Sequence, residues 1–346
     1  MVQLLIRRFG PILSLSLIAL TAGCERAVLD PAGDVALQQR DLIYFSTGLM
    51  LLVIVPVMVL TALFAWHYRQ SNKKAVYDPN FHHSTALELV IWSIPLLIII
   101  CLGAVTWSST HLLDPFRRLD RIEQGRAVDA AVEPMRVQVV AMDWKWLFIY
   151  PEENIATVNE LVLPVDREVR FDITSTNMMN TFYAPTLAGM IYAMPGMQSA
   201  LHAVLNEPGE YEGFSGNYSG AGFSSMRFRL RGVSQAEFDQ WVRQTQDTGT
   251  PLTTASYLDL EAPTERHPMT LYSTAPRDLF TRIVNRCVRP GTPCIRDQMD
   301  HSETPIAPSN APAASGERGP QGPAHAPAPS SHTAPVTGDT AHGGEQ

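Results

Sequence analysis

The segment Gly216-Asn217-Tyr218-Ser219-Gly220-Ala221-Gly222-Phe223-Ser224-Ser225-Met226-Arg227-Phe228-Arg229 combines a glycine- and serine-rich loop with the start of a strand. Clusters of glycine and serine mark loops, and apolar residues at alternate positions are typical of strands. The segment has no cysteine and no histidine, and its one sulfur-bearing side chain is Met226. Tight binding of soft copper ions needs thiolate and imidazole ligands. We therefore expect this loop to hold no metal.

The composition is typical of a membrane-anchored protein. The chain has 346 residues, of which 45% are hydrophobic, and the apolar residues are concentrated in its first third. The formal net charge is -8. Binding to nucleic acid requires clustered lysine and arginine to neutralise phosphates. The composition therefore argues against a nucleic-acid partner.

Two apolar segments are long enough to cross a bilayer. Residues 42–66 carry no charge, and as a helix with a rise of about 1.5 Å per residue they extend roughly 37 Å. Residues 87–110 carry a single charge, Glu88, close to their start. We therefore predict a hairpin of two transmembrane helices.

The charges between the two spans set their orientation. The connecting segment, residues 67–86, contains Arg69 and two lysines, and the positive-inside rule places such a segment in the cytoplasm. Residues 24–41 and everything after residue 110 are then expected in the periplasm.

The first 23 residues predict an export signal. Arg7 and Arg8 precede an apolar stretch that is too short to span a bilayer, and Leu20-Thr21-Ala22-Gly23-Cys24 follows as a small-residue cleavage region. This arrangement resembles a bacterial lipoprotein signal, which implies that Cys24 carries lipid such as palmitate. Thr21 stands where such signals usually have leucine. Ordinary cleavage and an uncleaved anchor remain alternatives.

A region of short strands follows a polar linker, residues 111–133. Residues 134–232 contain period-two patterns, including Val169, Phe171 and Ile173 on one face. Residues 199–205 and 210–214 flank a Pro-Gly turn signal and predict a hairpin. Such strands with frequent turns predict a Greek-key β-sandwich.

The sequence pattern of the C-terminal third changes twice. Residues 233–298 predict helices, because Ser234 and Glu237 form a capping box ahead of an apolar helical face. Residues 299–346 are rich in proline, alanine, serine, glycine and histidine and predict a disordered tail. Cys287 and Cys294 flank a turn-prone stretch, and in an oxidising periplasm they can form a disulfide. A zinc site is the weaker alternative, since no second pair of ligands lies at the required spacing.

Several motifs occur in an order that carries a family resemblance. They are Trp144-Lys145-Trp146-Leu147-Phe148-Ile149-Tyr150-Pro151, then Ile191-Tyr192-Ala193-Met194-Pro195-Gly196-Met197-Gln198, then Asn206-Glu207-Pro208-Gly209, and finally the loop quoted above. Over residues 24–290 the chain resembles subunit II of the haem-copper oxidases, and most closely that of the bo-type ubiquinol oxidases. The resemblance implies that the sandwich is a cupredoxin domain.

The resemblance also implies which family feature the quoted loop corresponds to. Members that oxidise cytochrome c hold two copper ions with a histidine after the Met-Met pair and with the pattern C-x-x-x-C-x-x-x-H-x-x-M. In this chain the corresponding positions carry Asn180, Tyr218, Gly222, Met226 and Arg229. We therefore expect a cupredoxin domain whose copper-ligand positions are vacated, with no catalytic residue and no metal in this chain.

Glu88 is the candidate for a functional carboxylate. In the haem-copper oxidases that this chain resembles, a glutamate at the start of the second helix lies at the mouth of a proton-input route of subunit I. The run His83-Ser84-Thr85-Ala86-Leu87-Glu88 fits that place. An interfacial or helix-capping role for the carboxylate is the alternative.

The resemblance implies a non-catalytic scaffold subunit of a proton-pumping enzyme that transfers electrons from ubiquinol to dioxygen. The haems and one copper are then expected in subunit I, with subunits I, III and IV and membrane lipid as partners and without cytochrome c. The expected location is the bacterial inner (cytoplasmic) membrane, as a multi-pass protein. The alternatives are a copper-bearing subunit II of a cytochrome c oxidase and a free-standing envelope lipoprotein that binds a ligand.

Overall fold

The computed structural model describes residues 27–76, 78–129 and 131–302. The predicted signal peptide, Cys24 and residues 303–346 of the predicted tail lie outside this part of the chain. Two long helices come first, α1 (Asp34–His67) and α2 (Thr85–Leu112), and both are long and apolar enough to cross a membrane. Most of their side chains are exposed, as expected of helices whose surroundings are lipid or another subunit.

Both helices extend beyond the predicted spans. Helix α1 begins at Asp34 rather than at residue 42, because its first turns carry polar side chains that bond locally, with Gln38 Nε2 donating to Asp34 Oδ2 over 2.7 Å. An aspartate in the first turn also interacts favourably with the helix dipole. The residue before the helix, Gly33, has no room for a side chain, since a Cβ there would lie 2.4 Å from the carbonyl oxygen of Val204. The start of α1 is therefore packed directly on the β-domain.

The strands form a small hairpin and two larger sheets. The strands are β1 (Arg121–Glu123), β2 (Arg126–Ala127), β3 (Met135–Met142), β4 (Lys145–Tyr150), β5 (Ile155–Val158), β6 (Glu160–Pro164), β7 (Glu168–Ser175), β8 (Asn180–Tyr183), β9 (Ile191–Ala193), β10 (Ser199–Val204), β11 (Gly209–Ser215), β12 (Arg227–Val233), β13 (Thr250–Pro251) and β14 (Thr270–Thr274). One sheet has the order β10-β7-β3-β4-β5-β14-β13 and the other β6-β12-β11-β8-β9. The first hairpin, β1-β2, lies within the predicted linker.

Aromatic side chains fill the space between the two sheets. Trp146, Phe148 and Tyr150 alternate along β4 and all are fully buried. From the other sheet, the rings of Phe182 and Phe228 stack with centroids 5.3 Å apart, and Trp146 meets the Phe182 ring edge-on at 5.6 Å. Such pairs add to the stabilisation that comes from burial alone. The core confirms the predicted two-sheet sandwich.

The larger sheet is buried on both faces, which explains why its strands alternate so weakly in sequence. Leu147 and Ile149 point away from the aromatic core and pack under the C-terminal extension, against residues such as Tyr257 and Phe280. Strands covered on both faces have near-continuous apolar runs. The extension also contributes β13 and β14 to this sheet, whereas the sequence predicted only helices there.

The predicted hairpin of residues 199–205 and 210–214 was wrong. Strand β10 pairs with β7 in one sheet, and β11 pairs with β12 and β8 in the other. The Pro-Gly signal between them marks a crossing from sheet to sheet. A local turn signal specifies a change of direction but not the partner of the strand that follows.

The C-terminal extension holds the helices α3 (Gln235–Thr248), α4 (Thr254–Glu261), α5 (Leu279–Val284) and α6 (Ile295–Ser302). Ser234 and Glu237 form the predicted capping box at the start of α3, and Trp241 of that helix packs on Tyr150 with centroids 5.4 Å apart. Helix α6 continues to Ser302, past the predicted start of the tail at residue 299.

Candidate functional site

The glycine-rich loop closes onto the sandwich between β11 and β12. The backbone N–H of Ser215 donates to the carbonyl of Met226 over 3.1 Å, which ties the two ends of the loop together. A short 3₁₀ turn, Phe223–Ser225, lies just before the closing residue. The loop is therefore a defined structure that its own backbone and its neighbours hold.

The indole of Trp144 covers this loop. Its Nε1 donates to the carbonyl of Ser219 over 3.0 Å, and its ring lies against Gly220 and Gly222. A Cβ built at Gly222 would come within 2.5 Å of the ring, so the ring occupies the space that a side chain there would need. Trp144 itself has φ 65°, a left-handed conformation that is uncommon for a bulky residue. The indole thus leaves no room for a larger side chain at position 222.

Asn180 at the start of β8 forms the opposite wall of the site. Its side-chain N–H donates to the carbonyl of Met178 over 3.0 Å, and its oxygen accepts a hydrogen bond from Ser215 Oγ at 3.2 Å. The residue is 2% exposed. Asn217 adds a bond from its side-chain N–H to the carbonyl of Met179 over 3.0 Å. Amide side chains therefore link the loop to β8.

The two remaining loop positions have different surroundings. Met226 is fully buried, and its thioether sulfur accepts a weak hydrogen bond from Ser219 Oγ at 4.0 Å. Tyr218 is 74% exposed and meets the ring of Phe223 at 5.6 Å. Met226 is a packing residue in this arrangement, and Tyr218 is a surface residue.

Arg229 lies apart from the loop. It belongs to β12, where alternate residues face the core and the solvent, and its guanidinium forms an ion pair with Glu210 of β11. Its backbone N–H donates to the carbonyl of Asn159 over 3.0 Å. The structure thus groups Asn180, Tyr218, Gly222 and Met226 around one loop and places Arg229 on the outer face of the sheet.

These residues do not fit a paired copper site. Bridging such a pair requires thiolates, and terminal binding requires imidazole, whereas the loop offers a phenol, a glycine and one buried thioether. In the described part of the chain, no group of three or more histidine, cysteine, aspartate or glutamate side chains is placed to hold a metal ion. We therefore derive no electron-transfer step through this domain.

Lys145 is a site residue that the sequence did not reveal. Although charged, it is fully buried, and its Nζ donates to the carbonyl of Ala262 over 2.8 Å and to Thr264 Oγ1 over 3.0 Å. Burial lowers the pKa of its ammonium group, and the nearby Asp143 carboxylate opposes this shift. Because Lys145 lies on the same face of β4 as Leu147 and Ile149, its side chain points under the extension and bonds to it.

Glu88 lies in the first turn of α2 with its side chain about half exposed. Its Oε1 is 2.8 Å from Nδ1 of His83, in the segment that connects the two membrane helices. The contact joins a carboxyl group at the end of a membrane helix to an imidazole in the connecting segment. It leaves the carboxylate accessible from the side of the connecting segment.

The contact of Trp144 with Gly222 gives a direct prediction. Replacing Gly222→Ala forces the indole away from the loop, and overpacking of this kind costs about 1–3 kcal/mol of unfolding free energy. Gly216→Ala in the same loop is the matched control, since its added Cβ meets the flexible end of Met190 at 3.0 Å. Urea unfolding followed by tryptophan fluorescence measures both variants. Equal stability of the two variants would contradict the predicted role of the indole.

The comparisons with known proteins agree with this geometry. Residues 151–233 match the family model described as "Cytochrome C oxidase subunit II, periplasmic domain". Residues 246–291 match the "COX Aromatic Rich Motif", which coincides with much of the C-terminal extension. The first match covers β5 to β12 of the sandwich, and the second covers much of the extension that follows.

Two relatives match this chain over most of its length at high sequence identity. The chain is 48% identical over 280 residues to the cytochrome bo(3) ubiquinol oxidase subunit 2 of Pseudomonas putida, with 81% of this chain and 86% of that protein covered. It is 45% identical over 280 residues to the ubiquinol oxidase subunit 2 of Acetobacter aceti, with 81% and 89% covered. A solved structure, the periplasmic domain of subunit II of cytochrome oxidase of Bradyrhizobium japonicum, is 20% identical with a TM-score of 0.32 and covers 34% of this chain and 96% of that chain. The extent and identity of the first two matches show that this chain belongs to the family of ubiquinol oxidase subunit 2.

Proposed function

We propose that this chain is the copper-free, non-catalytic subunit of a terminal oxidase that transfers electrons from ubiquinol to dioxygen. The observation that carries the proposal is the loop in which Trp144 fills the space beside Gly222. Asn180, Tyr218, Gly222, Met226 and Arg229 are then the vacated copper-ligand positions. Quinol delivers electrons from within the membrane, so the enzyme needs no copper relay in its water-facing domain. The relatives named above support this assignment.

The membrane helices supply the surface for the partner. Large apolar side chains remain exposed along both of them, including Met58 at 66%, Trp92 at 76% and Leu97 at 64%. In a bilayer these side chains pack against lipid and against the helices of subunit I, which carries the haems and the one copper of the complex in this proposal. Subunits III and IV complete the complex. The chain thus braces subunit I on the periplasmic side.

The orientation and the processing of the chain follow from the same proposal. Arg69 and its neighbouring lysines keep the connecting segment in the cytoplasm, so the β-domain lies in the periplasm of a cell with an inner membrane. We assign Cys24 as the lipidated N-terminus of the mature protein. Cys287 and Cys294 have Cα atoms 4.8 Å apart and are joined as a disulfide, which suits an oxidising periplasm.

Isolation of the native complex tests the assignment. Mild solubilisation of the membrane and capture through this chain should recover a haem-bearing partner, and the complex should consume oxygen with ubiquinol as the donor. Reduced cytochrome c should not support oxygen uptake. Recovery of the chain without haem would favour a free-standing lipoprotein, and oxygen uptake with cytochrome c would favour a cytochrome c oxidase.

We further propose that Glu88 contributes to proton entry into subunit I. It stands at the end of α2 that adjoins the connecting segment, in contact with His83 and about half exposed. Ionisable side chains near a membrane-spanning segment are costly and tend to have functional roles. The proposed route takes protons from the cytoplasm, past the His83–Glu88 pair, to subunit I.

Replacing Glu88→Gln should slow quinol-driven oxygen uptake and proton pumping in the assembled oxidase, because the amide does not exchange protons at neutral pH. Asp78→Asn is the matched control, an exposed carboxylate in the same connecting segment. Haem content, measured in parallel, shows that both variants assemble. Turnover and pumping equal to those of Asp78→Asn would assign Glu88 an interfacial role only.

A further inference from the structure

Two adjoining cavities lie where the membrane helices enter the β-domain. The first, here called the helix cleft, has a volume of about 370 Å³ between the ends of α1 and α2 and is lined mainly by apolar residues, among them Leu42, Phe45 and Val105. The second, here called the junction cavity, has a volume of about 280 Å³ and lies against the linker and the β-domain. Gln38, Leu112 and Leu113 line both, so the two spaces adjoin at these side chains.

Buried carboxylates hold the junction cavity in shape. Glu168, 5% exposed, accepts hydrogen bonds from Arg118 Nε at 3.0 Å and from the backbone N–H of Leu119 at 3.1 Å, and its other contact is His202 Nδ1 at 3.0 Å. Asp34, equally buried, pairs with Arg121 Nε at 2.9 Å. The carboxylates are buried, whereas their arginine partners are 36% and 38% exposed. Removing an arginine would leave a buried carboxylate without its partner, so the two pairs help to fix the wall of the cavity.

The lining of the junction cavity is charged but balanced. Three arginines and three aspartates contribute to it: Arg117, Arg118, Arg121, Asp34, Asp114 and Asp120. Arg117 and Asp120, three positions apart in the sequence, form an ion pair in which both side chains are exposed. Such surface pairs are weak, so a ligand can replace one partner. Guanidinium groups bind phosphate oxygens through paired N–H donors, while free carboxylates bind ammonium. The balance favours a ligand that carries both charges.

We propose that the two cavities together bind one zwitterionic phospholipid with a free ammonium group, such as phosphatidylethanolamine. Its phosphate lies among the arginines, with Arg117 as the exchangeable contact, and its ammonium group meets Asp114 or Asp120. One acyl chain lies in the helix cleft against Phe45 and Val105. The inference rests on the proposed membrane location of α1 and α2, because only then does the helix cleft face acyl chains while the arginines lie at headgroup level.

The bound lipid would have a structural role at the junction of the two helices and the β-domain. It fills the space between two helices that make few contacts with each other, and it connects them to the linker that carries the β-domain. Lipid bound in this way would fix the angle between the membrane helices and the periplasmic domain. A weakly held bulk lipid would be lost on washing in detergent, whereas this lipid should be retained.

The test measures retained phospholipid per haem in the purified oxidase complex, by mass spectrometry of the extracted lipids. Two variants address the two cavities separately. Ser108→Trp fills the helix cleft, and Arg117→Glu reverses the exchangeable charge. The matched controls are Thr110→Trp, on the same turn of α2 but outside the cleft lining, and Arg227→Glu, an exposed arginine paired with Glu212 on the sandwich.

We expect both cavity variants to lose about one phosphatidylethanolamine per complex and both controls to retain it. A photoreactive side chain in place of Ser108 should yield a lipid adduct. Unchanged lipid in both cavity variants, equal loss in the controls, or an adduct with another protein subunit would each overturn the proposal. Haem content and quinol-driven oxygen uptake are measured on the same samples. An unsubstituted complex that is active but retains no such lipid refutes the lipid site alone, and lipid retained by a chain without haem refutes the proposed function alone.

Discussion

The contact between the indole of Trp144 and the backbone of Gly222 defines the site. A glycine at this point lets the ring approach closely, and the ring in turn leaves no room for a thiolate side chain. The hydrogen bond from Trp144 to Ser219 orders the loop from one side, and the bonds of Asn180 order it from the other. Side-chain packing and amide hydrogen bonds thus hold this loop.

The rest of the domain supports this arrangement. Trp144 ends the turn between β3 and β4, and the fully buried strand β4 fixes its position. On the outer face, Lys145 bonds to the C-terminal extension next to the loop, which costs the desolvation of an ammonium group but satisfies two oxygens. The extension is therefore bonded to the strand that follows Trp144, so residues on both faces of the larger sheet contribute to the surroundings of the loop.

Much of this architecture was predictable because its signals are local. Continuous apolar runs identified the two membrane helices, and the capping box at Ser234 identified the start of α3. The absence of cysteine and histidine from the loop was plain from the sequence. Other features depend on tertiary contacts, so no local signal reports them. The Pro-Gly turn before β11 did not reveal that the chain changes sheets. Lys145 shares the outer face of β4 with Leu147 and Ile149, and it is buried because the C-terminal extension, distant in sequence, covers that face. Arg229, aligned with the site by spacing, lies on the outer face of β12.

The account depends on a β-domain that holds no copper, and counting copper in the intact complex tests it most directly. Elemental analysis of the purified oxidase, normalised to haem, should find a single copper per complex, which belongs to subunit I. Electron paramagnetic resonance should show no signal of a paired copper centre. Three copper ions per complex, two of them retained by this chain after it is separated from subunit I, would contradict the account.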